Sequence, residues 1–554
     1  MADSANRYDR RAFLSRGAST AAALGLAGVG VPALLSACGS NAPKATTTRT
    51  PGVGTGTPRR GGTMTVGLNS EIDGFLPTAS HFDNSGLTYA NTVFDSLTRV
   101  GADGMAHPYL AQSVTPNADM TVWTITLRPG IIFHDGSPLD AQVLMANFQA
   151  LRQSPLTAQA VAPISNVATT GQLQLQITCD EPLVAFPHYL ATQIGYPIAL
   201  AQLGANDSTH PIGTGPFIYE SWEPNDHFTA QRNPHYWRAG LPYLDSITYR
   251  PIPEDESREN ALRSGSVDIM VTRDPGAIRD LRDNAAYQQI ADLNRTHGQT
   301  DMDFIILNTE ADPTNDLVVR QALAHAMDVD EIVKLFGDGV TQANTSLFPP
   351  GSPYRAADNG YPSYDLDKAK QLVTQAAPNH GGTITLALET VTDPRLLEIV
   401  QAISNMWGQA GIKVTVGEIE QVTFIDNLVT GAFRAYTDEM FSASDPDLNY
   451  VWLSSTTANP PIALNFARNK DPLLEAALQQ GRTHSDPAVR AEAYQTVDKR
   501  LSADLPYLWF SRATWSVTSG AAIENFNHMT LPDGTFDQGF AAGVFTPTPA
   551  WRAT

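Results

Sequence analysis

Two acidic segments carry the residue types most able to do chemistry in this chain. Glu254-Asp255-Glu256 and Asp445-Pro446-Asp447 each place carboxylates close together in the sequence. Glycoside hydrolysis uses a pair of carboxyl groups about 5 to 10 Å apart, one of them as the acid. Acidic loops are more often solvated surface, so of three functional hypotheses an exported hydrolase is the least favoured.

Other motifs of catalysis and cofactor binding are missing from the sequence. It contains no Gly-rich phosphate loop with Lys and Ser/Thr, no Gly-x-Ser-x-Gly and no His-Glu-x-x-His. The twelve histidines lie scattered, so we expect neither a metal site nor a cofactor. Acidic residues outnumber basic ones and the net charge is -21, which argues against nucleic acid as a partner. The sequence therefore predicts a protein that is not an enzyme.

The front of the chain has the pattern of an export signal followed by a tether. Arg10-Arg11-Ala12-Phe13-Leu14 is typical of a twin-arginine signal, and an apolar run leads to Leu35-Ser36-Ala37-Cys38-Gly39, a lipobox. We predict a signal peptide over 1–37, lipid on Cys38 and a flexible tether over 38–61. The protein is then exported and lipid-anchored on the extracytoplasmic face of the cell membrane.

The rest of the chain has a mixed α/β pattern. Val122 to Leu127 alternates apolar with polar residues, and Leu173, Leu175 and Ile177 mark another half-buried strand, so we predict a β-rich region in the first third. Once Cys38 carries lipid, Cys179 has no partner for an intramolecular disulfide.

A strand–helix–strand unit is predicted later in the chain. Alternation over 384–388 precedes a helical apolar face over 396–410, and Gly411 ends that helix before a strand over 412–416. Such a unit implies a parallel sheet. Asp316 and Asp365 are expected to cap the helices that follow them.

Short blocks along the body resemble a known family. One block reads LRPGIIFHDGSPLDA over 127–141, and the order of the blocks matches the family 5 extracellular solute-binding proteins, which serve peptide and nickel ABC importers. The resemblance covers essentially the whole body after the tether. The blocks are 107–113, 127–141, 211–217, 233–237, 241–245, 261–269, 308–309, 319–328, 364–369 and 409–412.

The resemblance implies an α/β, bilobal, hinged fold of the periplasmic-binding-protein type. The expected first lobe is discontinuous, with an inserted β-rich subdomain, and the ligand lies in the cleft between the lobes. The expected boundaries are 62–100, 205–306 and 508–554 for lobe I, 101–204 for the inserted subdomain and 307–507 for lobe II. The blocks themselves specify the fold rather than the ligand site; Gly213 and Gly215, for example, suit a close approach of two backbones.

The resemblance also directs attention to one segment of the cleft. Peptide-binding members carry a Trp and, three residues later, an Asp that pairs with the ligand's α-ammonium, just before an Asp-Pro-Asp-like segment. Counted back from Asp445, this chain has Glu439 at the Trp position and Ser442 at the Asp position. A missing charge-assisted bond costs about 1.5 to 3 kcal/mol. Either Asp438 or Glu439 therefore substitutes, or the ligand lacks a free amino terminus.

Alternation along an extended segment separates these residues into two sets. Asp438 and Ser442 share one face, while Glu439 and Phe441 share the other. We expect Asp438 to supply any cation anchor and Glu439 to be engaged within the lobe; the alternative leaves both carboxylates solvated or paired with surface bases. The candidate ligand-binding residues are Asp438, Glu439, Phe441, Ser442 and Asp445.

The function predicted from the sequence is capture of a small-molecule ligand, a peptide or another small polar solute, for delivery to the permease subunits of an ABC importer. A monomer is expected. Oligosaccharides and modified peptides remain alternatives as ligands, and nickel chelates are weaker ones. The second hypothesis is a surface sensor that uses the same cleft without transport.

Overall fold

The computed structural model describes residues 52, 54, 56–292, 301–459, 462–520 and 522–553. These residues belong to one compact unit, Arg49–Thr554. The predicted export signal and Cys38 lie outside the described residues. Within these ranges, no helix has both the length and the apolar character needed to cross a membrane.

Strands and helices alternate through the described chain. The strands are β1 (Thr63–Leu68), β2 (Thr98–Val100), β3 (Ala106–Pro108), β4 (Ala111–Pro116), β5 (Val122–Leu127), β6 (Ile164–Gly171), β7 (Gln174–Cys179), β8 (Phe217–Glu223), β9 (His227–Arg232), β10 (Ser246–Pro251), β11 (Ile269–Thr272), β12 (Tyr287–Ala291), β13 (Met302–Leu307), β14 (Gln342–Ala343), β15 (Thr385–Val391), β16 (Lys413–Ile419), β17 (Ala435–Met440), β18 (Tyr507–Arg512), β19 (Ser516–Gly520), β20 (Ile523–Glu524) and β21 (Trp551–Arg552). The α-helices are α1 (Asn84–Val93), α2 (Ala141–Gln153), α3 (Phe186–Tyr189), α4 (Leu200–Ala205), α5 (Asp255–Ser264), α6 (Pro275–Arg282), α7 (Leu317–Ala326), α8 (Val329–Phe336), α9 (Leu366–Ala376), α10 (Pro394–Gln409), α11 (Gln421–Thr430), α12 (Tyr450–Leu453), α13 (Pro472–Thr483) and α14 (Pro487–Asp504). Short 3₁₀ helices cover Gln193–Gly195, Ala377–His380, Pro446–Asn449 and Ser455–Thr457.

Lobe I is built on a seven-stranded sheet with the order β12-β19-β11-β1-β10-β9-β8. Its strands come from widely separated parts of the chain, and β19 lies between β11 and β12. The central strand β1 pairs in parallel with β10 and β11, and both Met64 and Val66 on it are fully buried. The sheet therefore joins the N-terminal and C-terminal segments of the described chain.

A second, four-stranded sheet has the order β4-β5-β7-β6, and we call it with its helices the insert. Its strands are antiparallel, and Trp123, Ile125 and Leu127 on β5 alternate into an apolar core. Helix α2 begins after Asp140, whose carboxylate accepts from two backbone amides of the first turn. The predicted strand over 122–127 is confirmed by β5, and the strand marked by Leu173 to Ile177 is confirmed by β7.

Lobe II is built on a six-stranded sheet with the order β14-β18-β13-β17-β15-β16. β15 and β16 run parallel and are joined by α10, which confirms the predicted strand–helix–strand unit. Asp316 and Asp365 accept from backbone amides at the starts of α7 and α9, as predicted. β13 alternates between two cores: Ile305 and Leu307 face one, and Met302, Phe304 and Ile306 face the other.

The chain crosses between the two large sheets twice, between β12 and β13 and between β18 and β19. The crossings are neighbours, since the Ala513 amide donates to the Asp301 carbonyl at 3.0 Å. Paired crossings of this kind form a hinge between two lobes. The expected boundaries at 306/307 and 507/508 fall within β13 and β18, because both strands pair inside the sheet of lobe II.

The glycines of the 211–217 block lie against the backbone that follows α1. A Cβ on Gly213 would lie 2.1 Å from the Val93 oxygen, and one on Gly215 would lie 2.4 Å from the Val93 carbonyl carbon. Only glycine fits contacts this close, so this block shapes the scaffold of lobe I.

Candidate functional site

The end of β17 carries the candidate residues to the edge of lobe II that faces the hinge. β17 pairs antiparallel with β13, so Met440 lies opposite Met302 and Asp438 opposite Phe304. Because side chains alternate along strands, Asp438 shares a face of the sheet with Phe304, and Glu439 shares the other face with Asp303.

Phe441 departs from the alternation expected for an extended segment. Its φ is 76°, in the left-handed region, so the backbone turns at this residue. Its buried ring lies 5.5 Å from the ring of Phe304 and 5.2 Å from that of Tyr507. The prediction that Phe441 shares a face with Glu439 is therefore wrong; it packs on the face that carries Asp438.

Glu439 forms an ion pair with Arg273, which follows β11 in lobe I. The same guanidinium lies 3.7 Å from the Asp303 carboxylate. Glu439 was expected to be engaged within lobe II, and it is instead engaged across the cleft, because Arg273 reaches it from the other lobe. The negative charge of Glu439 is therefore already matched inside the protein.

Ser442 is tied to the hinge through Asp301. The Ser442 hydroxyl hydrogen-bonds to the Asp301 carboxylate, which also accepts from the Asn84 amide and the Trp515 indole, each at 2.8 Å. Burial raises the pKa of Asp301, and these donors oppose that shift. Ser442 thus joins lobe II to residues of lobe I and of the second crossing.

The carboxylates of the Asp445-Pro446-Asp447 segment are both bound by arginines. Asp445 accepts from Arg490 at 2.7 and 3.0 Å, and Asp447 accepts from Arg482 at 2.9 Å. Burial acts to raise the pKa of Asp445, but the Arg490 guanidinium, His188 and the Asp447 amide together outweigh it and hold that pKa below its ordinary value. Neither carboxylate of this segment is left free for the acid–base role considered from the sequence.

Asp438 is the exception among these acids. It is partly buried, and its carboxylate accepts a hydrogen bond from the adjacent Glu439 amide at 2.9 Å. No Lys, Arg or His of the described ranges forms an ion pair with it, and burial raises its pKa to about 8. Asp438 is therefore a carboxyl group without a partner cation among the described residues.

A cavity of about 300 Å³ opens between the insert and lobe II, beside the end of β17. Phe441 and Asp445 line it, whereas Asp438, Glu439 and Ser442 do not. The turn between β2 and β3 contributes Asp103, Gly104 and Met105, and the insert contributes Val184 and His188. Lobe II contributes residues that include Met302, Leu347, Phe348, Tyr354, Pro446, Asn449 and Arg490.

Several residues of this region could not be found from the sequence. Arg273 approaches Glu439 from 166 positions away, and Asp301, Arg490 and Tyr189 are likewise brought in by the fold. No short motif marks them, because their spacing in the sequence carries no local pattern. In the described part of the chain, no group of three or more His, Cys, Asp or Glu side chains has the arrangement of a metal site.

Comparison with known proteins gives a consistent result. Residues 106–461 match the model of bacterial extracellular solute-binding proteins, family 5 middle. Glutathione-binding protein GsiB of Pectobacterium atrosepticum is 26% identical over 466 residues, which cover 82% of this chain and 89% of that protein.

Two solved structures share the fold. The periplasmic binding protein DppA of Helicobacter pylori, in complex with the peptide STSA, superposes with a TM-score of 0.76 at 20% identity, over 89% of this chain and 98% of that one. The binding protein AgaA of A. tumefaciens R10, in complex with agropinic acid, gives a TM-score of 0.77 at 22% identity, over 89% and 99%. These likenesses establish the bilobal periplasmic-binding-protein architecture.

Proposed function

The chain belongs to the bacterial extracellular solute-binding proteins of family 5, which bind the substrates of ABC importers. We propose that its ligand is a short peptide or peptide-like solute, and that Asp438 binds a free ammonium group of this ligand. A relative is named for binding glutathione, and one structural neighbour holds a peptide. Both ligands are peptides in composition, which supports the ligand class.

The observation that carries the proposal is the missing partner cation of the Asp438 carboxyl group. Glu439 is paired with Arg273, and Asp445 is paired with Arg490, whereas Asp438 has no cation among the described residues. A buried carboxylate is costly unless an opposite charge accompanies it. A ligand ammonium at this position would supply that charge and donate hydrogen bonds to it.

The position of Asp438 supports the same proposal. It lies two residue pairs inside the edge of the sheet, since Met302 and Met440 form the pair closest to the hinge and Phe304 pairs with Asp438. The position occupied by Asp in peptide-binding relatives is Ser442 here, and the Ser442 hydroxyl is committed to Asp301. Asp438 thus supplies the acidic anchor four residues before the position, Ser442, at which the peptide-binding relatives carry it.

Calorimetric titration with Ala-Ala and with N-acetyl-Ala-Ala tests the proposal. We expect acetylation to weaken binding to the native protein by about 10- to 100-fold, because it removes a charge-assisted bond. Asp438→Asn should weaken Ala-Ala binding similarly, and the two effects should not add, since both remove the same contact. Glu439→Gln is the matched control and should leave the sensitivity to acetylation unchanged.

Two outcomes would contradict the proposal. Equal sensitivity to acetylation in the native protein and in Asp438→Asn would remove Asp438 as the anchor. Binding of oligosaccharides without binding of any peptide would end the peptide assignment, while the solute-binding role would stand.

The cellular setting of this function is also part of the proposal. We propose twin-arginine export, lipid on Cys38 and a monomeric protein without catalytic activity, held to the cell membrane and working with permease subunits. The inserted subdomain expected over 101–204 belongs to the same proposal. In Cys38→Ser we expect no lipid labelling and loss of the processed form from the detergent phase. A labelled, membrane-bound Cys38→Ser protein would refute the anchor.

A further inference from the structure

The insert is fixed to lobe I on one side of the cleft. The Gln193 side-chain amide of the insert donates to the Pro77 and Ser80 carbonyls of lobe I at 2.6 and 2.9 Å. The Ser154 hydroxyl at the end of α2 donates to the Thr78 carbonyl at 2.5 Å. The insert and lobe I therefore form one side of the cleft, and lobe II forms the other.

A buried polar contact joins the insert to lobe II across the cleft. Tyr189 of the insert lies between Asp447 and Arg482 of lobe II. Its hydroxyl accepts from the Arg482 guanidinium at 3.2 Å and donates towards the Asp447 carboxylate, also at 3.2 Å. All three residues are buried. Because both partners are charged, these hydrogen bonds are of the stronger kind, and opening of the cleft would break them.

Three further contacts join the insert to lobe II. Glu181 accepts from the Gln479 amide and lies 3.6 Å from the Arg482 guanidinium. Leu448 of lobe II packs against the apolar core of the insert. The Val184 amide donates to the Arg482 carbonyl at 3.2 Å. Ionic, apolar and backbone contacts thus act together at this junction.

Lobe I adds ionic contacts of its own to lobe II. Arg273 pairs with Glu439, and its guanidinium lies 3.7 Å from the Asp303 carboxylate. Arg279 of α6 lies 2.6 Å from the carboxylate of Asp338, which follows α8, but both side chains are about half exposed and contribute little. Every contact in this set is made by side chains or backbone of the chain itself, so the set forms whenever the cleft closes.

We propose that the junction between the insert and lobe II is a latch that holds the cleft closed without a ligand. The latch comprises Glu181, Val184 and Tyr189 of the insert with Asp447, Leu448, Gln479 and Arg482 of lobe II. A hinged protein exchanges between open and closed forms, and buried contacts made only in the closed form shift the equilibrium towards it. A ligand then stabilises a form that already predominates.

Hydrogen exchange at the Val184 amide tests the latch, because its acceptor, the Arg482 carbonyl, lies across the cleft. The protein is measured with no ligand added, after native mass spectrometry has verified that no small molecule co-purified. A cleft closed about nine-tenths of the time leaves this amide free about one-tenth of the time. We therefore expect exchange at least about tenfold slower than in an unstructured peptide. Protection below that factor would overturn the latch.

A double variant shows whether the latch causes this protection. Tyr189→Phe with Glu181→Gln removes two polar contacts and leaves the Asp447–Arg482 pair in place within lobe II. Protection of the Val184 amide should fall about tenfold or more. Tyr364→Phe with Glu492→Gln, at exposed positions of lobe II outside the latch, is the matched control and should leave it unchanged. Equal protection in the two double variants would contradict the latch.

The amides of β5 separate opening of the cleft from unfolding. They lie in the core of the insert and should keep their protection in the latch variant. If they lose it, Leu448→Ala decides the question, because it removes an apolar contact of the latch without disturbing a charged group. Protection of the Val184 amide should then fall several-fold, and unchanged protection would refute the latch. No peptide enters these measurements, so their outcome is independent of the ligand proposed for Asp438.

Discussion

Two neighbouring acidic regions of lobe II differ in whether their carboxyl groups are paired with arginines. In the Asp445–Asp447 segment, both carboxylates are buried and each is bound by an arginine of α13 or α14. At the end of β17, Asp438 is partly buried with no cation beside it among the described residues. The first region is paired within the protein, and in the second we propose that a ligand ammonium supplies the missing cation.

The paired region also holds the insert to lobe II. The Tyr189 hydroxyl of the insert donates to the Asp447 carboxylate at 3.2 Å, and Arg482 donates to the same hydroxyl at 3.2 Å. The Val184 amide donates to the Arg482 carbonyl at 3.2 Å. One of the two acidic segments considered for acid–base chemistry from the sequence is thus a structural contact between two parts of the fold.

The largest expected effect comes from breaking the paired region. Arg482→Met leaves Asp447 buried without its cation and should lower the free energy of unfolding by about 3 to 5 kcal/mol, measured by urea denaturation. The exposed pair Arg279–Asp338 offers a matched control, since Arg279→Met should change that free energy by less than about 1 kcal/mol. Equal losses of unfolding free energy in the two variants would mean that the Arg482–Asp447 pair does not stabilise the protein more than an exposed pair does.

The unpaired region should respond in the reverse direction. Asp438→Asn removes a carboxyl group whose ionisation is opposed by burial, so the ligand-free variant should be more stable than the native protein at pH 8, by roughly 1 to 3 kcal/mol. Thermal and urea unfolding at several pH values measure the difference.

The pH dependence of this difference has a definite sign. The pKa of Asp438 is raised to about 8 in the folded protein, above its ordinary value of 3.8. The folded state therefore holds a proton that the unfolded state releases, and native stability should fall relative to Asp438→Asn as the pH rises from about 4 to 8. A native protein that gains stability over this range relative to the variant would show that Asp438 is paired.

A smaller effect is expected at Gly136, in the family block over 127–141. Gly136 has a φ of 83° and no atom near its absent Cβ, so Gly136→Val should cost about 1 to 2 kcal/mol through backbone strain alone. Affinity for Ala-Ala, corrected for the folded fraction, should stay constant. A folded variant that loses affinity would make this block part of the ligand site.

Local features of the fold were predictable because local patterns encode them. The caps at Asp316 and Asp365 and the parallel pair β15–β16 follow from residues adjacent in sequence. The resemblance to a family supplied the bilobal architecture and pointed to the segment before Asp445.

The pairing of charged side chains at the candidate site was harder to predict from the sequence. The left-handed backbone of Phe441 reverses the expected alternation of side chains. The sequence does not indicate this conformation, because bulky residues such as Phe rarely adopt it. The partners Arg273 and Arg490 determine which carboxylates are matched, and they reach the site only through long-range packing. The sequence singled out Asp438 as a candidate, but could not tell that, among the described residues, it is the acid of this segment without a partner cation.

Proton release on peptide binding tests the role of Asp438 most directly. At pH 6.5 a carboxyl with a pKa of about 8 is protonated, and it must lose that proton to pair with an ammonium group. Titration of the native protein with Ala-Ala in two buffers of different ionisation enthalpy should therefore show release of close to one proton per peptide. Asp438→Asn, titrated at higher protein concentration, should release none. Binding of Ala-Ala to the native protein without proton release would contradict an ammonium–Asp438 pair.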